Sequence, residues 1–87
     1  MIKTVDILEI ENLIPFAKKE NLCFNTKTKY CAYFFKNKII GFCGWMLFKY
    51  KAVLKNDYVL PEYRRQGIYR KLNEYRMNVI RSLGIKK

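Results

Sequence analysis

The chain has 87 residues, 51% hydrophobic and 16% aromatic, and its 18 Lys and Arg against 7 Asp and Glu give a net charge of +11. A chain of this length supports one small core, and with no histidine the usual zinc sets, Ser–His and Cys–His nucleophiles and a histidine general base are excluded. No stretch approaches the ~18 apolar residues of a membrane span and the start lacks a signal-peptide pattern, so a cytoplasmic protein with no membrane partner is expected.

Met1 to Val5 predicts a short strand. Asp6 then has the character of an N-cap, and Glu9 three residues on completes a capping-box pattern. A helix is expected from about Ile7 to Glu20, with Leu8, Ile14 and Ala17 near one face. Pro15 should kink that helix or restart it near Asn12, because an interior proline removes a hydrogen bond. Asn21 to Lys29 is polar and turn-like. Tyr30 to Phe35 reads as a compact aromatic strand, Lys36-Asn37-Lys38 as a turn, and Ile39 to Tyr50 as a longer strand, together an antiparallel hairpin. Gly41 and Gly44 mark a bulge or close packing in its middle. Cys23, Cys31 and Cys43 lack Cys-x-x-Cys spacing, and Cys31 and Cys43 sit in apolar runs as buried free thiols. Lys51 to Leu60 is a third strand, ended by Pro61.

From Ile68 the period changes. Ile68, Leu72, Tyr75, Val79 and Leu83 step by four, three, four and four, which puts one apolar stripe on a helix. Ile80 widens the stripe, and Arg70, Lys71, Glu74 and Arg81 occupy other faces. Gly84 is placed to end the helix, and Ile85-Lys86-Lys87 has the look of a further strand beginning.

The junction between third strand and helix has the parts of a backbone anion site. Leu60-Pro61 ends the strand, Gly67 permits close approach or positive φ, and Ile68 anchors a helix whose first N–H groups are free. Arg64 and Arg65 add charge and Gln66 an amide donor. A pyrophosphate suits such a loop, although a plain turn into a basic amphipathic helix has the same parts.

The run from Tyr58 to Leu72 resembles motif A of the GNAT superfamily of N-acetyltransferases: Val59-Leu60-Pro61, two residues, then Arg64-x-x-Gly67-x-Tyr69 opening a helix. The resemblance implies an α+β fold of the acyl-CoA N-acyltransferase type, mostly antiparallel, with an N-terminal helix and a cofactor-binding helix after the signature loop. Residues 1–87 would form one domain lacking the usual C-terminal strands. It further implies acetyl-CoA as acyl donor, with no metal, and a primary amine on a small molecule or protein as acceptor. The main chain at Val59 and Leu60, beside Tyr58, would pair with the pantetheine arm. The loop Arg64, Arg65, Gln66, Gly67, Ile68, Tyr69 and Arg70 would hold the pyrophosphate, the amides from Arg65 to Arg70 doing so directly. Tyr69 departs from the Gly or Ala usual there. Asp57, just before the pantetheine-contacting residues, is the candidate catalytic carboxylate, and Tyr58 and Tyr69 are candidate proton donors.

Two other classes stay open. A non-catalytic coenzyme A-binding or interaction module would use an unfinished sheet edge to join a partner, including a second copy of the chain. A small nucleic-acid binder is disfavoured, because the positive residues form no single face and the aromatic ones lie in core strands. The lysine, asparagine and isoleucine content points to an AT-rich source, a bacterium or a phage-infected cell.

Overall fold

The computed structural model describes residues 1–22, 24 and 27–85. Four strands, β1 (Ile2–Val5), β2 (Lys29–Phe35), β3 (Lys38–Phe48) and β4 (Lys51–Val59), form one antiparallel sheet in chain order. Two-residue loops join the last three. Lys36, Asn37, Lys49 and Tyr50 all have positive φ (51°, 63°, 49° and 68°), which matches the right-handed twist of hairpin strands. The strand expected to reach Tyr50 therefore ends at Phe48, and Tyr50 turns the chain with 91% of its surface exposed. A tyrosine in this left-handed region carries strain of about 1–2 kcal/mol. Glycine relieves that strain but raises unfolded-state entropy by up to about 1 kcal/mol. Tyr50→Gly should raise the melting temperature by roughly 2–4 °C, read by thermal denaturation.

One extra residue in β4 decides what faces the functional site. Phe42 pairs with Tyr58 and Gly44 with Lys55, so two steps along β3 oppose three along β4. The bulge centres on Asn56, whose φ is 62° and whose buried amide donates to the Tyr30 hydroxyl at 3.0 Å. A bulge resets the alternation of faces beyond it. Leu54 and Asp57, three residues apart, thus both point toward the C-terminal helix, while Tyr58 packs on Phe42 on the opposite face. Gly44 makes room there: a Cβ at that position would come within 2.8 Å of Thr28 Cγ2 and 2.9 Å of the Lys55 carbonyl.

The N-terminal helix expected over Ile7 to Glu20 is broken. Ile7–Ile10 is a 3-10 turn, in which the Asp6 N–H donates to Glu9 Oε1 at 3.3 Å. The chain turns again before α1 (Ile14–Lys18), where Pro15 sits in the first turn and loses no bond. Ile10, Leu13 and Ala17 bury themselves on the sheet face that carries Tyr30, Phe42 and Tyr58.

The other face is covered by α2 (Ile68–Ser82). Gly84 ends it with a Schellman pair of hydrogen bonds, Gly84 N–H to Arg81 O at 2.9 Å and Ile85 N–H to Ile80 O at 3.3 Å. Its buried line is Ile68, Leu72, Arg76 and Ile80. The expected stripe needs correction at two places: Leu83 is 58% exposed, and an arginine stands in the middle of the apolar series. Cys31 and Cys43 are buried directly opposite each other under this helix, and Cys43 Sγ donates to the Leu72 carbonyl at 3.6 Å. Cys23 and the expected strand residues Lys86 and Lys87 lie outside the described residues. Among the described residues, no helix is long and apolar enough to cross a membrane.

Candidate functional site

The signature loop begins at the outer edge of β4. Leu60 N–H donates to the Ile40 carbonyl on β3 at 2.9 Å, so the carbonyl of the same peptide unit, Val59 O, points to the opposite edge, which pairs with no strand among the described residues. Leu60 is thus the last residue to bond toward β3, one beyond the end of the strand itself. Pro61–Tyr63 makes a single 3-10 turn. Arg65 and Gly67 then adopt left-handed conformations, with φ of 65° and 79°, and fold the chain back so that α2 starts at Ile68. Among the described residues, nothing lies within 4 Å of a Cβ built on Gly67, which leaves this corner open to approach.

The first helical bond of α2 runs from Lys71 N–H to the Gly67 carbonyl at 3.1 Å. The amides of Ile68, Tyr69 and Arg70 come before it and have no acceptor within the helix. They meet the positive end of the helix dipole beside Arg65. A hollow of about 180 Å³ lies here, bordered by Val59, Arg64, Gly67 and Tyr69. Free amides, a cationic flank and an unobstructed glycine corner fit a pyrophosphate. The Gln66 amide, expected as a donor to such a group, instead donates to the Glu62 carbonyl at 3.4 Å. The donors left at this corner besides the Arg65 side chain are therefore those of the main chain.

Behind the loop, Asp57 meets Arg76. Arg76 Nη1 donates to Asp57 Oδ1 at 2.5 Å and to the Gly44 carbonyl at 3.0 Å. Its Nη2 donates to Asp57 Oδ2 at 3.3 Å and to Asn73 Oδ1 at 2.6 Å. The Arg76 side chain is fully buried and that of Asp57 is 27% exposed. Burial alone would lower the Arg76 pKa, but hydrogen bonding to Asp57 and the charges around it outweigh burial and raise it. Tyr69, where the resemblance leads one to expect Gly or Ala, stands beside this pair. Burial first, and then the Asp57 carboxylate, hold its phenol above the ordinary value.

A second ion pair crosses the front of the site. Arg64 Nε donates to Val59 O at 2.7 Å while its Nη2 reaches Glu20 Oε2 at 2.7 Å, and the guanidinium lies 5.4 Å from the centre of the Tyr58 ring. Burial, followed by the charge of Glu20, raises the Tyr58 phenol pKa. A groove of about 330 Å³ runs along the β4 edge between Asp57, Val59, Arg64 and Tyr69. A larger one of about 580 Å³ opens between α1 and the Leu60–Glu62 turn. Glu20 and Tyr58 line both.

The sequence-predicted residues thus gather in one place: Tyr58, Val59, Arg64 and Tyr69 line the grooves and hollow, Asp57 joins them through the bulge, and Arg65 to Arg70 form the loop. Sequence reasoning missed Arg76 and Glu20. Arg76 was in principle visible as the one charged member of the four-residue series Ile68, Leu72, Arg76, Ile80. Glu20 gave no local signal, because the fold sets it 44 positions away from its partner Arg64.

The sequence matches a model of the acetyltransferase (GNAT) family over residues 4–87. Solved structures of the same fold include an acetyltransferase from Vibrio fischeri, with a TM-score of 0.78 at 16% identity, the match covering 99% of this chain and 90% of that one. A Staphylococcus aureus protein described as a GNAT family acetyltransferase gives 0.79 at 14% identity, covering 99% and 95%. The PaiA N-acetyltransferase of Thermoplasma acidophilum, solved in complex with coenzyme A, gives 0.75 at 18% identity, covering 98% and 75%. No curated protein matches the sequence. The family match over nearly the whole length, on a fold whose signature loop opens onto free helix amides, makes this chain a member of the acetyltransferase (GNAT) family.

Proposed function

We propose that the chain is an acyl-CoA-dependent N-acyltransferase that moves an acetyl group from acetyl-CoA to a primary amine in the cytoplasm, working as one domain over residues 1–87. The observation that carries the reading is the loop itself: three free helix amides and a left-handed glycine beside an open strand edge. Family membership supports it, as do structural neighbours solved with coenzyme A, one of them an aminoglycoside 6′-N-acetyltransferase.

The amides from Arg65 to Arg70 would hold the pyrophosphate, with Arg65 and Arg70 supplying charge. The main chain of Val59 and Leu60 would align the pantetheine arm beside Tyr58. Acetyl-CoA brings an activated thioester, so the chain needs no nucleophile of its own. Its work is to position the donor, exclude water and accept a proton from the incoming amine. Asp57 and Glu20 are the two carboxylates of the β4 groove from which the last task can be served, and Tyr58 and Tyr69, whose phenol pKa values burial raises, are candidate donors to the leaving thiolate.

Calorimetric titration with acetyl-CoA tests the reading, followed by thiol release in the presence of primary amines. Saturable one-site binding and amine-dependent thiol release are expected; absence of binding overturns it. A second reading is favoured by one feature. Among the described residues β4 is an edge strand, and a binding module could recruit a partner strand there. Saturable binding without thiol release for any amine, together with a dimeric solution mass, would select it.

A further inference from the structure

We propose that Glu20 is the carboxylate that takes the proton from the acceptor ammonium, and that Arg64 holds it until an acyl-CoA arm lies along β4. The inference rests on the acyl-transfer reading above.

Position argues first. The loop hollow and the β4 groove share Val59, Arg64 and Tyr69. The β4 groove and the α1-side groove share Glu20 and Tyr58. The three spaces therefore run in series, from the anion-holding amides to the border marked by Glu20 and Tyr58. A donor anchored at the loop and extended along β4 brings its reactive end toward that border, and an amine entering from the α1 side meets it there. Glu62 lines the α1-side groove but not the border.

Chemistry then separates the two carboxylates of the β4 groove. Both Asp57 oxygens accept hydrogen bonds from the fully buried Arg76, so Asp57 is the counter-charge of the core. Glu20 is bound only at the surface: its side chain is 45% exposed and that of Arg64 41%. An exposed pair of this kind is held weakly and is readily exchanged. Charge and proximity link Glu20 to the border from both sides, through Arg64 and through its effect on the Tyr58 phenol.

Arg64 makes the release depend on the donor. Its Nε occupies Val59 O, the outward carbonyl at the end of the β4 edge. An amide-bearing arm that donates to this carbonyl displaces Nε, and Arg64 loses one of the contacts that fix it in front of Glu20. The freed carboxylate takes one proton from the ammonium. The amine lone pair then forms the N–C bond at the thioester carbonyl, the C–S bond breaks with its electrons on sulfur, the surplus proton on nitrogen passes to the thiolate, and Glu20 returns its proton to water.

Two measurements test this. In nitrogen NMR of the full chain, the Arg64 Nε–H should be protected from exchange in the free protein and lose that protection when coenzyme A binds. In thiol-release assays with an aminoglycoside, a polyamine and alanine amide, Glu20→Gln should lower kcat/KM by about 100-fold and remove the acid limb of the pH profile. Glu20→Asp should restore part of both, and acetyl-CoA affinity should persist in each variant. Glu20→Gln with the wild-type rate and acid limb overturns the proposal, as does an Arg64 signal unmoved by bound coenzyme A. The NMR result decides alone if none of the three amines is turned over. A wild-type chain that binds no coenzyme A overturns the acyl-transfer reading itself, and this inference with it.

Discussion

Gly67→Asp should lose at least about 100-fold in acetyl-CoA affinity, about 3 kcal/mol, while the protein stays folded. Gly67 is the N-cap of α2 with φ at 79°, and aspartate is one of the few side chains that enter this region at modest strain. A Cβ there meets open space, so no neighbour must move. The charge itself favours the free helix, since an anion at an N-terminus complements the dipole. The same carboxylate would face the pyrophosphate across the amides meant to hold it. Gly67→Asn separates the two effects, because it has nearly the same shape and backbone tolerance without the charge. Calorimetry should show Asn close to wild type and Asp far weaker, with similar melting temperatures. Equal affinity for Gly and Asp would remove the loop from the binding site.

What could be read from the sequence was local. Lys36-Asn37 between two aromatic runs gave the hairpin, Pro61 and Gly67 gave the loop, and Gly84 the helix end, because each acts within a few residues of itself. Pro15 marks a break by its own chemistry, but how much helix survives it depends on how Ile10, Leu13 and Ala17 pack on the sheet. Gly44 marked the place of the bulge on β3, but the extra residue opposite it, Asn56 on β4, was not legible. The bulge exists because Asn56 finds the Tyr30 hydroxyl and Gly44 leaves space on the neighbouring strand, which are contacts between distant segments. From that one residue follow the facing of Asp57, its pairing with Arg76 and hence the tolerance of an arginine in an apolar stripe. The candidate site was accordingly half visible. Its main-chain half lies in one continuous run, whereas its ionic half is assembled from α1, β4 and α2.

The Asp57–Arg76 pair should prove to be the costliest contact in the protein to cut, and unequally so from its two ends. Removing one member of a buried pair typically costs about 3–5 kcal/mol, against a total of roughly 4–13 kcal/mol for a domain of this length. Arg76 is the fully buried partner, and its Nε already lacks an acceptor among the described residues. Asp57→Asn therefore strands a positive charge where no water reaches, and should cost about 4–5 kcal/mol. Arg76→Met keeps most of the stem volume and leaves Asp57, with 27% of its side chain exposed, able to take water. It should cost nearer 3 kcal/mol, including the donor lost to the Gly44 carbonyl. The double variant Asp57→Leu with Arg76→Met replaces the pair by apolar packing and should recover most of the loss. Urea denaturation of the three variants measures this order. If Asp57→Asn cost less than about 1 kcal/mol, the pair would be a surface-like contact, and Asp57 would be released from the core to compete with Glu20 for the proton of the acceptor. A large cost instead ties Asp57 to the fold, and leaves the chemistry at the front of the groove to the carboxylate that Arg64 can let go.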